Sequence, residues 1–114
     1  MTALFIPKAG PGEYAPYYQK YVDKVGDDPM AQLESQHAST HALLERLDEE
    51  KAMFRYAPGK WTVKGVVGHL CDCERVFAYR ALSFARADAA ELPGFDEDAW
   101  APEAKFDTRS IADL

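Results

Sequence analysis

Residues 56–86 have the sequence YAPGKWTVKGVVGHLCDCERVFAYRALSFAR, and this stretch decides the fold of the chain. A Pro-Gly turn leads into an uninterrupted helical pattern, which predicts one long helix. Thr62 is its expected N-cap, although Gly65 stands where a capping box would place Glu or Gln. The predicted helix carries one histidine, His69, beside its apolar face, and this residue is the first candidate for a functional site.

The long helix is predicted to turn one broad apolar stripe toward a helical core. The stripe consists of Val63, Val66, Val67, Leu70, Phe77, Ala81 and Phe84. Glu74 falls close to the centre of this stripe, where an unpaired carboxylate would be costly. We therefore expect Glu74 to pair with an arginine from another element, with Arg109 as the candidate. A general-base role for Glu74 is the weaker alternative.

Two shorter helices are predicted before this stretch. The first lies within residues 13–25, where four tyrosines form an aromatic stripe. The second begins with Asp28 as N-cap and Pro29 in the first helical position, and its apolar residues recur at helical intervals as far as Leu47. A turn over residues 48–51 is expected to follow it.

The residues after the long helix predict a connection and the beginning of a further helix. Residues 88–106 form a long connection, which we expect to pack over the surface through its own aromatic residues. Trp61, Phe95 and Trp100 are interpreted as core or loop anchors. Residues 107–114 look like the first turns of another helix, which would not be stable alone. We therefore expect these 114 residues to be a fragment of a longer domain.

Composition and charge narrow the class of protein. A chain of 114 residues with 47% hydrophobic and 28% charged residues is typical of one globular domain. The net charge of −6 argues against binding to nucleic acid, whose phosphates require clustered positive charge. No apolar run approaches the roughly 20 residues that cross a bilayer, and the N-terminus lacks the pattern of an export signal. We therefore expect a cytoplasmic protein without a membrane partner.

The two cysteines, Cys71 and Cys73, fit a reducing compartment. Side chains two positions apart on a helix point to nearly opposite sides, so these thiols are not expected to form a disulfide. Cys71 is interpreted as structural. Cys73 follows His69 by four residues and shares its face, so it is either a soft ligand, a reactive thiol or a small buried filler, of which we favour the last.

The chain resembles the DinB family of metalloenzymes across essentially its whole length. The likeness rests on the strings Pro58-Gly59-Lys60-Trp61-Thr62, Gly68-His69-Leu70, Glu74-Arg75-Val76, Tyr79-Arg80-Ala81-Leu82 and Leu92-Pro93-Gly94-Phe95-Asp96. The resemblance implies an all-α, up-and-down antiparallel four-helix bundle. Residues 1–114 then correspond to the N-terminal two-thirds of one such domain, and the C-terminal helix or helices are missing from this chain.

The resemblance also implies a divalent metal, nickel or zinc, bound by three histidines. His69 occupies the position of the ligand on the long helix. The other two ligands form a His-x-x-x-His pair on the last helix, and this sequence has nothing that matches that pair. The implied activity is a metal-dependent hydrolase or a thiol S-transferase that acts on a small molecule, in a homodimer. The alternative is a non-catalytic helical-bundle or dimerisation module that lacks a complete metal site.

Four more residues are weighed beside His69. Asp72 either orients a ligand or a metal-bound water, or it is a solvated carboxylate that pairs with Arg75. Arg80 is kept with Asp72 and Cys73 as a residue that supports the metal or contacts substrate. A second histidine pair, His37 and His41, has the spacing that puts two imidazoles on one helical face. We interpret it as a core-edge and a surface histidine, with closure of a site around His69 as the minor hypothesis.

Overall fold

The computed structural model describes residues 5–114, and these residues form helices and turns without a β-strand. The predicted all-α class is therefore confirmed. The chain divides into two units, Met1–Glu45 and Arg46–Leu114. None of the helices in the described residues is long and apolar enough to cross a membrane.

Over residues 5–45, the first unit contains two helices. A 3-10 turn at Pro16–Tyr18 leads directly into α1 (Gln19–Val22), so the predicted helix over residues 13–25 is confirmed only in its central part. The second helix, α2, spans Pro29–Leu44. It begins as predicted, because the Asp28 carboxylate accepts the backbone N–H of Ala31 at 3.0 Å. It ends three residues before the predicted Leu47.

The second unit contains three helices and a short 3-10 turn. They are α3 (Glu49–Ala52), α4 (Val63–Ala85), α5 (Glu97–Ala104) and the 3-10 turn Phe106–Thr108. The first lies where only a turn was predicted, and α5 lies inside the predicted connection. Both have an aspartate as N-cap: Asp48 accepts from the backbone of Lys51, and Asp96 accepts from the backbone of Asp98 and Ala99.

The long helix α4 begins as the sequence predicts. The Thr62 hydroxyl accepts the backbone N–H of Gly65 at 2.9 Å, which satisfies one of the free amides at the helix start. The same hydroxyl donates to the Asp107 carboxylate. Arg55 contacts the other oxygen of Asp107 at 3.3 Å. The start of α4 is therefore joined to the 3-10 turn that follows α5.

The buried face of α4 shares only Val67 with the predicted apolar stripe. It consists of Lys64, Gly65, Val67, Gly68 and Ser83. The ring of Phe106, only 6% exposed, lies directly on Gly68. Small residues make this approach possible, because a side chain at Gly68 would fill the space that the ring occupies. Most residues of the predicted stripe are exposed instead.

Two further expectations about the second unit are wrong. Glu74 is exposed, and Arg109 forms its ion pair with Asp113, with 2.6 Å between Nε and Oδ2. Glu74 therefore needs no partner, because water solvates its carboxylate. Residues 107–114 form a 3-10 turn and a further turn instead of the start of an α-helix, since eight residues gain too few helical hydrogen bonds to offset nucleation.

A buried lysine ties three segments of the second unit together. The side chain of Lys64 is 7% exposed, and its ammonium contacts the carboxylate of Glu49 on α3. The other Glu49 oxygen accepts the backbone N–H of Ile111 at 3.2 Å. The hydrogen bond from Lys64, and to a smaller extent that from Ile111, lowers the pKa of Glu49 below its ordinary value of 4.5. Glu49 is therefore ionised at neutral pH and compensates the buried charge of Lys64.

Candidate metal-ligand site at His69

His69 is half-buried on α4 and lies within a row of aromatic rings. Its imidazole centroid is 5.1 Å from that of Trp61 and 6.4 Å from that of Phe95. Phe95 in turn packs on Trp100, with 4.7 Å between the ring centroids. Trp61 precedes α4, whereas the other two rings come from the segment around the start of α5. The imidazole is thus held by elements on both sides of it in the sequence.

Cys73 lies one helical turn beyond His69, on the same face of α4. Its Sγ is 3.4 Å from His69 Nε2 and 3.8 Å from Nδ1. The shared face was predicted from the spacing of four residues. Both cysteines are free thiols, as expected. Cys71 points elsewhere, and its thiol donates to the backbone oxygen of Leu114 at 3.2 Å.

The electrostatic surroundings of Cys73 favour the neutral thiol. Burial raises the pKa of Cys73, and the carboxylates of Asp72, Glu97 and Glu74 raise it further, while Arg80 lowers it. A cysteine with a raised pKa is a weak nucleophile, because the thiolate is the reactive form. In the absence of a bound metal ion, Cys73 is therefore a protonated thiol beside His69 and not an activated nucleophile.

The other predicted site residues, Asp72 and Arg80, form their contacts with residues other than His69. The Asp72 carboxylate is 3.9 Å from the Arg75 guanidinium, the pairing that the sequence offered as one alternative, but its side chain is only 24% exposed. Arg80 donates to the backbone oxygen of Pro93 at 2.9 Å. Among the described residues, no hydrogen bond joins Asp72 or Arg80 to His69. Arg80 instead positions the segment that carries Phe95 against α4.

The donor atoms of His69 and Cys73 have the separation that a shared metal ion requires. Tetrahedral zinc holds a thiolate sulfur at about 2.3 Å and an imidazole nitrogen at about 2.0–2.1 Å, so two such donors lie about 3.6 Å apart. The observed separation of 3.4 Å is close to this value, but the 3.8 Å from Sγ to Nδ1 places the sulfur beside the ring, so one side chain must rotate before the two can share an ion. Across residues 5–114, no group of three or more His, Cys, Asp or Glu side chains is placed to hold a metal ion.

The aromatic surroundings of His69 were missed in the sequence, where these rings were interpreted as anchors. Trp61 lies before the N-cap of α4, so helical periodicity does not relate it to His69. Phe95 reaches His69 through a long connection, so no local periodicity predicts its position. The hydrogen-bonded group of Arg55, Thr62 and Asp107 was missed for the same reason.

A cleft of about 210 Å³ opens beside Trp61 in the second unit. Its walls include the apolar groups of Trp61, Pro102 and Phe106, together with Arg55 and Lys105. One guanidinium nitrogen of Arg55 donates to the backbone oxygen of Lys60 at 2.5 Å. Trp61 thus contributes both to this cleft and to the surroundings of His69.

The fold and this geometry define an all-helical protein whose longest helix presents a half-buried histidine as a candidate metal ligand. The family model of the DinB superfamily matches residues 32–114. The chain therefore belongs to the DinB superfamily, which confirms the resemblance carried by residues 58–86. No curated protein and no solved structure matches the chain.

Proposed function

We propose that this chain is a metal-binding DinB protein in which His69 is a ligand to nickel or zinc. The observation that carries the proposal is the position of the His69 imidazole, held between aromatic rings with Nε2 3.4 Å from the Cys73 thiol. Imidazole nitrogen and cysteine sulfur are both ligands that these metals accept in proteins. In the four-helix bundle of the family, a facing helix would bring further histidines toward this side of α4.

The residues around His69 support a metal site in three ways. Trp61 and Phe95 lie next to the imidazole and restrict its orientation. Arg80 holds the backbone at Pro93 and thereby the ring of Phe95. Cys73 keeps its proton in the absence of a cation, so a bound cation would favour its deprotonation and a stronger metal–sulfur interaction.

The proposed reaction is hydrolysis or thiol transfer on a small molecule. A metal ion supplies Lewis acidity and lowers the pKa of a bound water or thiol. The cleft beside Trp61 has room for a small substrate; Arg55 on its wall is paired with Asp107, and Lys105 would favour a substrate with a negatively charged group. The overall charge of −6 supports a small molecule over a nucleic acid as the partner.

Removal of the His69 imidazole is expected to remove one equivalent of divalent metal. We expect the purified protein to carry nickel or zinc at this site, and both His69→Ala and the size-matched His69→Gln to lose one equivalent by elemental analysis. The His69→Cys variant retains a ligating side chain and should recover part of the binding. Unchanged metal content in His69→Ala and His69→Gln, with helicity preserved by circular dichroism, would show that His69 is not a ligand.

A second candidate function rests on the exposed apolar face of α4. Its large side chains and their exposed fractions are Val66 at 46%, Leu70 at 51%, Phe77 at 55% and Phe84 at 71%. A contiguous apolar face of this kind marks an interaction surface. We propose that a second copy of the chain packs against it, so that the protein serves as a non-catalytic helical module in a homodimer.

Oligomeric state tests this second candidate. We expect a dimer by light scattering, and a monomer for Leu70→Lys and Phe77→Lys, because a lysine on this face opposes its burial. Tyr79→Lys is the matched control, since Tyr79 is 60% exposed but lies about 200° around the helix from Phe77. A monomeric wild-type chain, or a dimer that survives both substitutions on the face, would contradict the homodimer.

A further inference from the structure

Two histidines stand side by side on α2, and the preceding proposals use neither of them. His37 and His41 are one helical turn apart, with ring centroids separated by 6.4 Å and planes inclined by 26°. Both residues are exposed, and no residue of α2 is buried. Exposed imidazoles one turn apart are accessible to a solute ion and are free to adjust their rotamers.

An acidic side chain continues the row. Glu45 follows His41 by four residues, and its Oε1 is 3.5 Å from His41 Nδ1. Metal-binding histidines usually direct their second ring nitrogen to a carboxylate or carbonyl, which fixes the orientation of the ring. Glu45 is placed to do this for His41, and the contact leaves His41 Nε2 available for a ligand.

We propose that His37 and His41 form a two-histidine chelate for a borderline divalent cation such as Ni²⁺, Cu²⁺ or Zn²⁺, with Glu45 orienting His41. This site is distinct from the one at His69. All three side chains belong to the first unit. Imidazole nitrogens suit these cations, and water completes the coordination of an exposed ion.

The observed ring separation is compatible with a shared ion. A metal–nitrogen distance of about 2.0–2.1 Å places a ring centroid about 3.2 Å from the metal, so two rings on one ion are at most about 6.5 Å apart. This limit holds for ligands on opposite sides of the ion, whereas the ring centroids of cis ligands are about 4.5 Å apart. The observed 6.4 Å must therefore shorten by about 2 Å, and the exposed side chains leave room for the χ rotations that achieve this.

Titration of the chelator-treated, untagged protein with Ni²⁺ tests the proposal. We expect calorimetry to show one equivalent of bound Ni²⁺ that remains in His69→Ala. The affinity for this equivalent should fall by at least about tenfold in His37→Ala and in His41→Ala, since one imidazole cannot chelate. Saturating Ni²⁺ should also raise the thermal midpoint of the wild-type chain, followed by circular dichroism, because an ion that binds only the folded helix stabilises it.

A transposed histidine is the matched control. The double substitution His41→Ala/Ala42→His keeps the number of histidines but moves one imidazole about 100° around the helix. It should bind Ni²⁺ as weakly as His41→Ala. Equal affinity of the transposed and wild-type chains would overturn the proposal. Loss of the same equivalent of Ni²⁺ in His69→Ala, His37→Ala and His41→Ala would also overturn it, because the three histidines would then form a single site.

Discussion

Gly68→Ala is expected to destabilise the second unit, although glycine-to-alanine changes inside helices are usually favourable. Alanine gains about 1 kcal/mol over glycine in a helix interior. A Cβ on Gly68, however, would lie 2.2 Å from Cδ1 and 2.3 Å from Cγ of Phe106. The backbone fixes the position of this Cβ, so the ring must leave its site. Loss of a buried phenylalanine costs about 3–5 kcal/mol, and we expect a net loss of about 2–4 kcal/mol.

Denaturant unfolding followed by tryptophan fluorescence measures this loss, because both tryptophans, Trp61 and Trp100, belong to the second unit. In a Phe106→Ala background, the effect of Gly68→Ala should reverse to a gain of about 1 kcal/mol. Ala78→Gly on the exposed side of α4 calibrates the propensity difference. A higher denaturant midpoint for Gly68→Ala in the wild-type background would show that Phe106 does not pack on Gly68.

Thr62→Val is the second substitution with a large expected effect. Thr62 is 1% exposed, and its hydroxyl both accepts from the Gly65 backbone and donates to Asp107. Valine has nearly the same shape but makes neither hydrogen bond. Loss of an N-cap costs about 0.5–2 kcal/mol, and an unpaired buried group about 1–3 kcal/mol. Because Asp107 is 40% exposed and can be rehydrated, we expect a total loss of about 2–3 kcal/mol.

Thr62→Ser is the matched control, since serine keeps the hydroxyl and is an equally good N-cap. It should retain most of the stability measured by the same unfolding experiment. Asp107→Ala should cost less in the Thr62→Val background than in the wild type, because the two residues share one hydrogen bond. Equal midpoints for Thr62→Ser and Thr62→Val would show that the hydroxyl does not stabilise α4.

Local signals predicted the starts of the two longest helices. Asp28 before Pro29, and Thr62 before an uninterrupted helical pattern, identify α2 and α4 because caps and periodicity act within a few residues. The spacing of His69 and Cys73 also placed the two side chains on one face. For α5 the local signal was misjudged. Asp96 is a good N-cap, but Pro102 made the segment look like a connection; α5 forms although Pro102 lies inside it and removes one helical hydrogen bond.

Non-local packing accounts for what the sequence did not predict. The apolar stripe correctly indicated a helix, but the buried face of α4 is set by Gly65 and Gly68, where small size permits close approach of Trp61 and Phe106. Glycine has no hydropathy signal that marks such a contact. Phe95 beside His69, and Lys64 paired with Glu49, likewise depend on segments that approach one another only in the folded chain.

Three contacts described above span long stretches of the second unit. Arg55 and Thr62 reach Asp107 across 52 and 45 residues, and Glu49 reaches Ile111 across 62 residues. The chain entropy lost in closing a loop grows slowly, by about 0.6 kcal/mol for each doubling of its length. Extra residues inserted between α4 and α5 would therefore add little to the entropic cost of loop closure, which these contacts already offset. The second unit can vary the length of that connection far more freely than it can change the residues that close it.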